Sequence, residues 1–232
     1  MIVIFETMVY SQMDHLEKVI LLCGYRRTGK DTFFVKLSDN KQDNLFLWKI
    51  YKDPTSSRNT FDSSLKYIRT AFADSLKQDE VPAIYGIPTF VSDLDKDLKQ
   101  FIHYKTGELV SARDIYIEWG TIRRASDPDY WCKAAFKRPS LEETVDSSTC
   151  CVVTDWRFHN EATYMLNTYN DVLTVRLYRS DIPEPDVTIE SEHSLDNYRT
   201  DFLLLRDNME GEYEKVIEKF PQYAGYVSCG TI

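Results

Sequence analysis

The stretch at 18–37 constrains the fold more than any other part of this chain. It opens with an apolar run, VILLC at 19–23, that lacks polar alternation, as in a parallel strand buried on both faces. The segment GYRRTGK at 24–30 follows, and apolar residues then recur at helical spacing as far as Leu37. This order predicts a buried strand, a glycine-bounded loop and a helix, which is the layout of a phosphate-binding loop.

The loop fits the frame of a glycine, four residues, a glycine and a lysine. Gly24 and Gly29 let the backbone turn its amides towards phosphate oxygens, and the following helix adds its positive N-terminal end. Lys30 is placed to reach the β- and γ-phosphates of a triphosphate. The two glycines alone would also serve an ordinary strand–helix turn. The predicted phosphate-binding residues here are Gly24, Arg27, Thr28, Gly29, Lys30, Asp31 and Thr32, with Arg26 directed to the phosphate of an acceptor.

Asp31 stands where Ser or Thr is usual in such loops. A carboxylate cannot donate a hydrogen bond, but it can bind Mg²⁺ directly or through water. Thr32 supplies a hydroxyl one position later. Asp155, which follows a second buried strand, is placed either to hold Mg²⁺ through water or to orient Arg157 towards phosphate. The expected magnesium ligands are therefore Asp31, Thr32 and Asp155.

Buried strands alternate with helices along the rest of the chain. Strands are predicted at 150–154 and 172–178, with a helix at 159–169 between them. This alternation predicts a single α/β domain over 1–232, with a parallel sheet flanked by helices on both faces. Ligands bind such sheets at the carboxyl ends of the strands. Three residues that follow strand ends are therefore expected at one cleft: Gly24, Asp155 and Arg179.

Other segments carry weaker signals. Residues 1–17 form an N-terminal extension, and the polar stretch at about 39–64 is typical of a surface insert or hairpin. Apolar residues at helical spacing predict an amphipathic helix over 90–105. Ser111 is expected to cap a helix over 111–125 that Gly120 interrupts.

Composition excludes several classes of function. The net charge of −9 argues against broad binding to nucleic acid, because that needs basic surface. The five cysteines are odd in number and form no Cys-x-x-Cys pair, which favours reduced thiols and a cytoplasmic location. No apolar run approaches the roughly 20 residues that span a bilayer, so no membrane association is expected.

Five segments resemble deoxynucleoside monophosphate kinases of the bacteriophage type. In chain order they are GYRRTGKDT, AFADSLK, ARDIYIEWGTIRRASDPDYW, TDWRFHNE and EHSLDNYRTDFLLLRDN. The resemblance implies a P-loop fold with acceptor-binding and lid segments, the acceptor region lying at about 66–135. It implies transfer of a phosphoryl group from ATP, with Mg²⁺, to a dNMP for DNA precursor synthesis. A viral origin, a place in the host cytoplasm and a homodimer are further expectations.

The resemblance also assigns roles to single residues. Arg113 matches an arginine that contacts the acceptor phosphate and the transferring group, and Trp131 matches an aromatic residue that packs on the acceptor base. Asp155 and Arg157 match an Asp-x-Arg motif at the metal and the phosphates. Arg69 is implied at the acceptor phosphate and Arg179 at the adenine. Each has an ordinary alternative, a surface arginine or, for Trp131, a core side chain.

Two alternatives stay open. Phosphomevalonate kinases of the animal type have a similar loop, although the DPDYW segment at 127–131 favours the nucleotide enzyme. The second alternative is a module that binds nucleotide without transferring phosphate. A GTPase switch is disfavoured, because no Asn/Thr-Lys-x-Asp motif for guanine is present.

Overall fold

The computed structural model describes residues 18–39, 48–59, 61–62, 64–92, 95–137, 146–206 and 211–232. They pack as two compact units: the described residues within 1–69 and 145–232 form the first, and those within 70–144 form the second. The expected N-terminal extension at 1–17 lies outside the described residues. The second unit covers nearly the same residues as the expected acceptor-binding region at about 66–135.

Helices and strands are interspersed along the described chain. In order they are β1 (Lys18–Cys23), α1 (Lys30–Asp39), β2 (Trp48–Lys52), β3 (Lys66–Thr70), a π-helix (Ser75–Glu80), α2 (Val81–Tyr85), β4 (Lys99–Ile102), β5 (Leu109–Ser111), α3 (Ala112–Ser126), α4 (Tyr130–Phe136), β6 (Thr149–Val153), α5 (His159–Thr168), β7 (Asp171–Tyr178), α6 (Glu190–His193), β8 (Phe202–Arg206), α7 (Glu212–Lys219), a 3₁₀ turn (Pro221–Tyr223) and β9 (Val227–Thr231). None of the helices in the described ranges is long and apolar enough to cross a membrane.

The described strands of the first unit form a seven-stranded sheet in the order β3–β6–β1–β7–β8–β2–β9. β1 runs parallel to β6 and β7, and β7 runs parallel to β8. β2 is antiparallel to β8, and β9 is antiparallel to β2. The predicted α/β class with a mostly parallel sheet is therefore confirmed, but the sheet carries an antiparallel edge.

Helices cover both faces of this sheet. Phe33 and Leu37 of α1 pack in one core cluster with Ile20 and Leu22 of β1. On the opposite face, side chains of β8 pack with those of α7 and the residues after it, namely Leu203, Leu205, Val216, Phe220 and Tyr223. Successive strand residues point to opposite faces, so the uninterrupted apolar strand β8 supplies both cores, with Leu204 in the first and Leu203 and Leu205 in the second.

The prediction of a surface insert at 39–64 is wrong for its middle part, because that part forms β2. Trp48 is 3% exposed and Ile50 is 5% exposed, while Lys49 between them is exposed. This is the alternation of a strand with one buried face. The polar residues around it made a core strand resemble a surface hairpin.

The prediction of a helix over 90–105 is also wrong, because residues 99–102 form β4, which pairs with β5 as an antiparallel hairpin. Ile102 lies opposite Leu109, and Gly107 in the connecting loop has a φ of 72° that favours glycine. Ile102 is 68% exposed, so the apolar residues at helical spacing do not mark one buried face. Pairing between the two strands overrode the local helical pattern.

The cap predicted for α3 is confirmed. The Asp114 amide donates to the Ser111 hydroxyl, and the Asp114 carboxylate accepts from the Ser111 amide, which completes a capping box. Gly120 does not interrupt the helix, which continues to Ser126. The Gly120 carbonyl instead accepts a hydrogen bond of 3.2 Å from the indole of Trp131, so α4 packs closely against this point.

Candidate functional site

The loop after β1 is held in a conformation that its glycines permit. Gly24 has a φ of 136°, and a Cβ atom there would overlap the backbone carbonyl of Leu177 in β7. Gly29 has a φ of 96°, with the ring of Trp48 beside it. Arg27 has a φ of 68°, which costs a non-glycine residue about 1–2 kcal/mol. The fold therefore retains a strained turn between β1 and α1.

Lys30 folds back over this turn. Its ammonium donates to the carbonyls of Gly24 at 2.6 Å and Tyr25 at 3.0 Å, and lies 3.5 Å from the Thr28 hydroxyl. The Thr28 hydroxyl donates to the Tyr25 carbonyl at 2.9 Å. Burial, and then the nearby cation of Arg157, lower the pKa of Lys30 to about 8.

The lysine is thus a half-buried cation without a direct ion pair among the described residues. No carboxylate of the described residues lies within ion-pair distance of its ammonium, so its direct contacts are to neutral oxygens. The more distant carboxylates of Glu192 and Asp31 offset part of its charge. Burying a charge in this way is costly, and such groups concentrate at binding and catalytic sites. An incoming anion would remove that cost.

Arg26 and Arg27 add positive charge at the same turn. Both residues are exposed, and neither guanidinium makes a hydrogen bond to any residue within the described ranges. The backbone amide of Arg26 donates to the carboxylate of Glu192 at 2.8 Å. The loop is therefore locally cationic, although the whole chain has a net charge of −9.

Asp31 lies in the first turn of α1 and is exposed. Its carboxylate lies 3.0 Å from the Nε atom of Arg69, the next-to-last residue of β3. The structure thus joins two predicted site residues, one expected at the metal and one at the acceptor phosphate. Thr32, the next residue, is exposed.

Asp155 and Arg157 follow β6, which lies beside β1 in the sheet. Asp155 comes two residues after the end of the strand, and its side chain is partly exposed. The Arg157 guanidinium donates through Nη1 to Glu192 at 2.5 Å and to the Ser191 carbonyl at 3.4 Å. Because β6, β1 and β7 are parallel neighbours, Gly24, Asp155 and Arg179 follow the carboxyl ends of three adjacent strands, and their meeting in one cleft stays a prediction.

The oxygen donors of this region fit a magnesium ion. Mg²⁺ in nucleotide sites takes one or two carboxylates, and its remaining ligands are phosphate oxygens and water. Asp31, Thr32 and Asp155 offer two carboxylates and a hydroxyl on elements next to the loop. In the described ranges, no group of three or more His, Cys, Asp or Glu residues forms a preassembled metal site.

Arg179 follows β7 and is engaged by its own neighbour. Its Nε and Nη2 atoms donate to the two oxygens of Asp181 at 3.0 and 2.7 Å. This pair uses the edge of the guanidinium and not its flat face, which is the part that would stack on a base.

In the second unit, two predicted acceptor residues have other partners. The Nε and Nη2 atoms of Arg113 pair with the Asp97 carboxylate, the second contact being 3.2 Å. Trp131 is 2% exposed and packs edge-on against Tyr130. Its ring has no exposed face for a base, so the core alternative applies to Trp131 and the stacking role does not.

A polar cluster in the same unit surrounds Glu80, at the end of the π-helix. Its carboxylate accepts from the Trp119 indole at 2.7 Å, the Arg123 guanidinium at 2.8 Å and the Tyr130 hydroxyl. The Arg123 guanidinium lies over the rings of both Trp119 and Tyr130. This cluster ties the π-helix to α3 and α4, and the sequence offered no signal for it.

Sequence reasoning also missed the segment at 190–196, which borders the loop. Glu192 contacts Arg26 and Arg157 as described above, and the Tyr25 hydroxyl donates to Asp196 at 3.0 Å. The only sequence signal was the EHSLDN stretch, which resembled a family segment without indicating a role. No protein-family model matches this chain, and no curated protein matches its sequence.

Proposed function

We propose that this chain transfers the γ-phosphoryl group of ATP to a deoxynucleoside monophosphate. The observation that carries the proposal is Lys30, a half-buried ammonium held over the Gly24 and Tyr25 carbonyls of a glycine-bounded strand–helix turn. The mostly parallel sheet is compatible with a P-loop kinase fold. The acceptor class rests on the resemblance of the five sequence segments to phage-type kinases.

In the proposed reaction, an acceptor phosphate oxygen attacks the γ-phosphorus and the bond to the β–γ bridging oxygen breaks, which releases ADP. Catalysis of this kind depends on positioning and on compensation of charge over the transferring oxygens. Lys30 and the arginines at 26, 27 and 157 supply the compensating charge. Asp31, Thr32 and Asp155 would hold Mg²⁺, which neutralises phosphate charge when bound.

The test is a coupled assay of ADP release with ATP, Mg²⁺ and a panel of acceptors. The panel contains the four common dNMPs, the corresponding NMPs and phosphomevalonate, and a reaction without acceptor measures ATP hydrolysis. We expect ADP release that depends on at least one dNMP. Turnover only with phosphomevalonate would assign the other kinase class, and ATP binding without any transfer would assign a binding module.

Two variants connect the activity to the loop. Lys30→Ala should lower transfer by about 100- to 1000-fold, the usual effect of removing one donor that stabilises transition-state charge. Lys36→Ala, two turns later on the same helix, is the matched control and should keep wild-type turnover. Unchanged turnover in Lys30→Ala would refute the catalytic role of the loop.

A further inference from the structure

Glu192 is a buried carboxylate at the edge of the loop. Its side chain is 8% exposed. One oxygen accepts the Arg26 amide at 2.8 Å, and the other accepts Nη1 of Arg157 at 2.5 Å. Burial alone would raise the pKa of Glu192, but Arg157, the Arg26 amide and Lys30 lower it on balance. The charged carboxylate therefore bridges the loop and the residue that follows β6.

The segment that carries Glu192 is itself fixed to the sheet. Arg176 of β7 is 2% exposed, and its guanidinium donates to the Leu195 carbonyl and to the Tyr223 hydroxyl. Asp196 accepts hydrogen bonds from Tyr25 at 3.0 Å and pairs with His193 at 2.8 Å. These contacts fix the residues that follow Glu192 in the chain, so we expect its carboxylate to keep its position.

This contact leaves one edge of the Arg157 guanidinium available. Glu192 and the Ser191 carbonyl use Nη1 alone, and neither Nε nor Nη2 hydrogen-bonds to any residue in the described part of the chain. The Nε–Nη2 edge is one of the forks with which arginine binds phosphate in bidentate geometry. The backbone amides of Arg157 and Phe158 both donate to Glu161, so the main chain at this point is also fixed.

We infer that Glu192 is a positioning residue that holds Arg157 with its Nε–Nη2 edge presented to a phosphate of the nucleotide. The inference rests on the proposed function for the nature of the ligand. It makes Glu192 part of the phosphate site without direct contact to phosphate. In the alternative, the Glu192 carboxylate merely occupies the site of a phosphate and must leave when the nucleotide binds. Removing its charge would then strengthen phosphate binding, whereas a positioning role predicts that binding weakens.

A double-mutant cycle on binding distinguishes these roles. The probe is inorganic tripolyphosphate, and its affinity is measured by titration calorimetry for wild type, Glu192→Gln, Arg157→Ala and the double variant. We expect Glu192→Gln to weaken binding about tenfold in the wild-type background, about 1.4 kcal/mol. In the Arg157→Ala background it should weaken binding less than about twofold, because there is no arginine left to position. Glu190→Gln, on the same helix and exposed, is the matched control and should bind as wild type does.

Two results would overturn the inference. Tighter binding by Glu192→Gln would show that the carboxylate competes with phosphate, and an equal loss in both backgrounds would show that Glu192 does not act through Arg157. Circular dichroism and melting temperature exclude a general loss of structure. If Glu192→Gln does not fold, Glu192→Asp replaces it in the cycle, with a smaller expected loss that also disappears without Arg157. The binding cycle does not depend on turnover, so failure of the proposed function would appear separately, as absence of transfer by the wild type.

Discussion

Asp31 and Arg69 form an ion pair between the start of α1 and the end of β3, with 3.0 Å between Oδ1 and Nε. From the sequence, Asp31 was expected to bind the metal and Arg69 the acceptor phosphate. Their side chains are 73% and 38% exposed, and exposed pairs of this kind add only about 0–1 kcal/mol to stability. We therefore expect the pair to matter more for where it places the two charges than for the stability of the fold.

For Asp31→Asn we expect a small effect on folding and a large effect on magnesium use. The free energy of unfolding should change by less than about 1 kcal/mol. Transfer at low Mg²⁺ should fall more than about tenfold and recover in part at high Mg²⁺, because one carboxylate ligand is lost. Kinetics across a Mg²⁺ titration measure this, with the exposed Asp62→Asn as control. An unchanged Mg²⁺ dependence would remove Asp31 from the metal site.

For Gly24→Ala we expect a marked loss of stability. The φ of 136° is unfavourable for alanine, and the new Cβ atom would overlap the Leu177 carbonyl. The free energy of unfolding in urea should fall by more than about 1 kcal/mol. Gly120→Ala is the matched comparison, because Gly120 lies within α3 and its nearest neighbour there is the flexible Arg124 side chain. It should stay within about 1 kcal/mol of wild type, and similar losses in both variants would contradict this account.

For Arg176→Met we expect one of the largest losses of stability in the first unit. The guanidinium is buried, donates to Leu195 and Tyr223, and lies 3.8 Å from Asp196. Its removal leaves buried acceptors without donors, and each such group typically costs about 1–3 kcal/mol. Chemical denaturation measures the loss. Arg58→Met removes a half-exposed pair with Asp171 and should cost less than about 1 kcal/mol. Equal costs for the two arginines would show that burial of Arg176 is not decisive.

The pH dependence of stability should report on His193. Its hydrogen bond to Asp196 raises its pKa above the ordinary value, although burial opposes this. The folded state therefore binds the proton more tightly than the unfolded state, whose histidine titrates near about 6.5. This stabilisation is complete below that value and is lost as pH rises through the folded pKa. The urea midpoint of wild type should thus fall more between pH 6 and pH 8.5 than that of His193→Gln, and parallel curves would refute the assignment.

The positions of several site residues could be predicted because the signals are local. A long apolar run, a glycine at each end of the loop and a helical pattern lie within 20 consecutive residues, so they indicate β1, the turn and α1 without reference to the rest of the chain. Asp155 and Arg179 could be placed beside them, since parallel strands end at the same edge of a sheet. The partners of these side chains could not be predicted in this way. Asp97, which pairs with Arg113, and Glu192, which pairs with Arg157, lie 16 and 35 residues away in the sequence.

Two strands that were predicted wrongly also depend on contacts with residues that come later in the sequence. β2 forms a strand because it pairs with both β8 and β9, and β9 lies far from it in the sequence, at 227–231. β4 has a helical pattern of apolar residues but forms a strand because β5 pairs with it. In both cases a distant or later segment supplied the backbone hydrogen bonds that decided the conformation.

By itself, the sequence determined the α/β class, the strand–loop–helix that holds Lys30 and the cap of α3, because short-range sterics and hydrogen bonding govern each of them. Only the tertiary structure decided that Trp131 is a core residue, that Asp31 faces Arg69 and that Glu192 holds Arg157. Burial and ion pairing depend on which segments pack together, and that packing is a property of the whole chain.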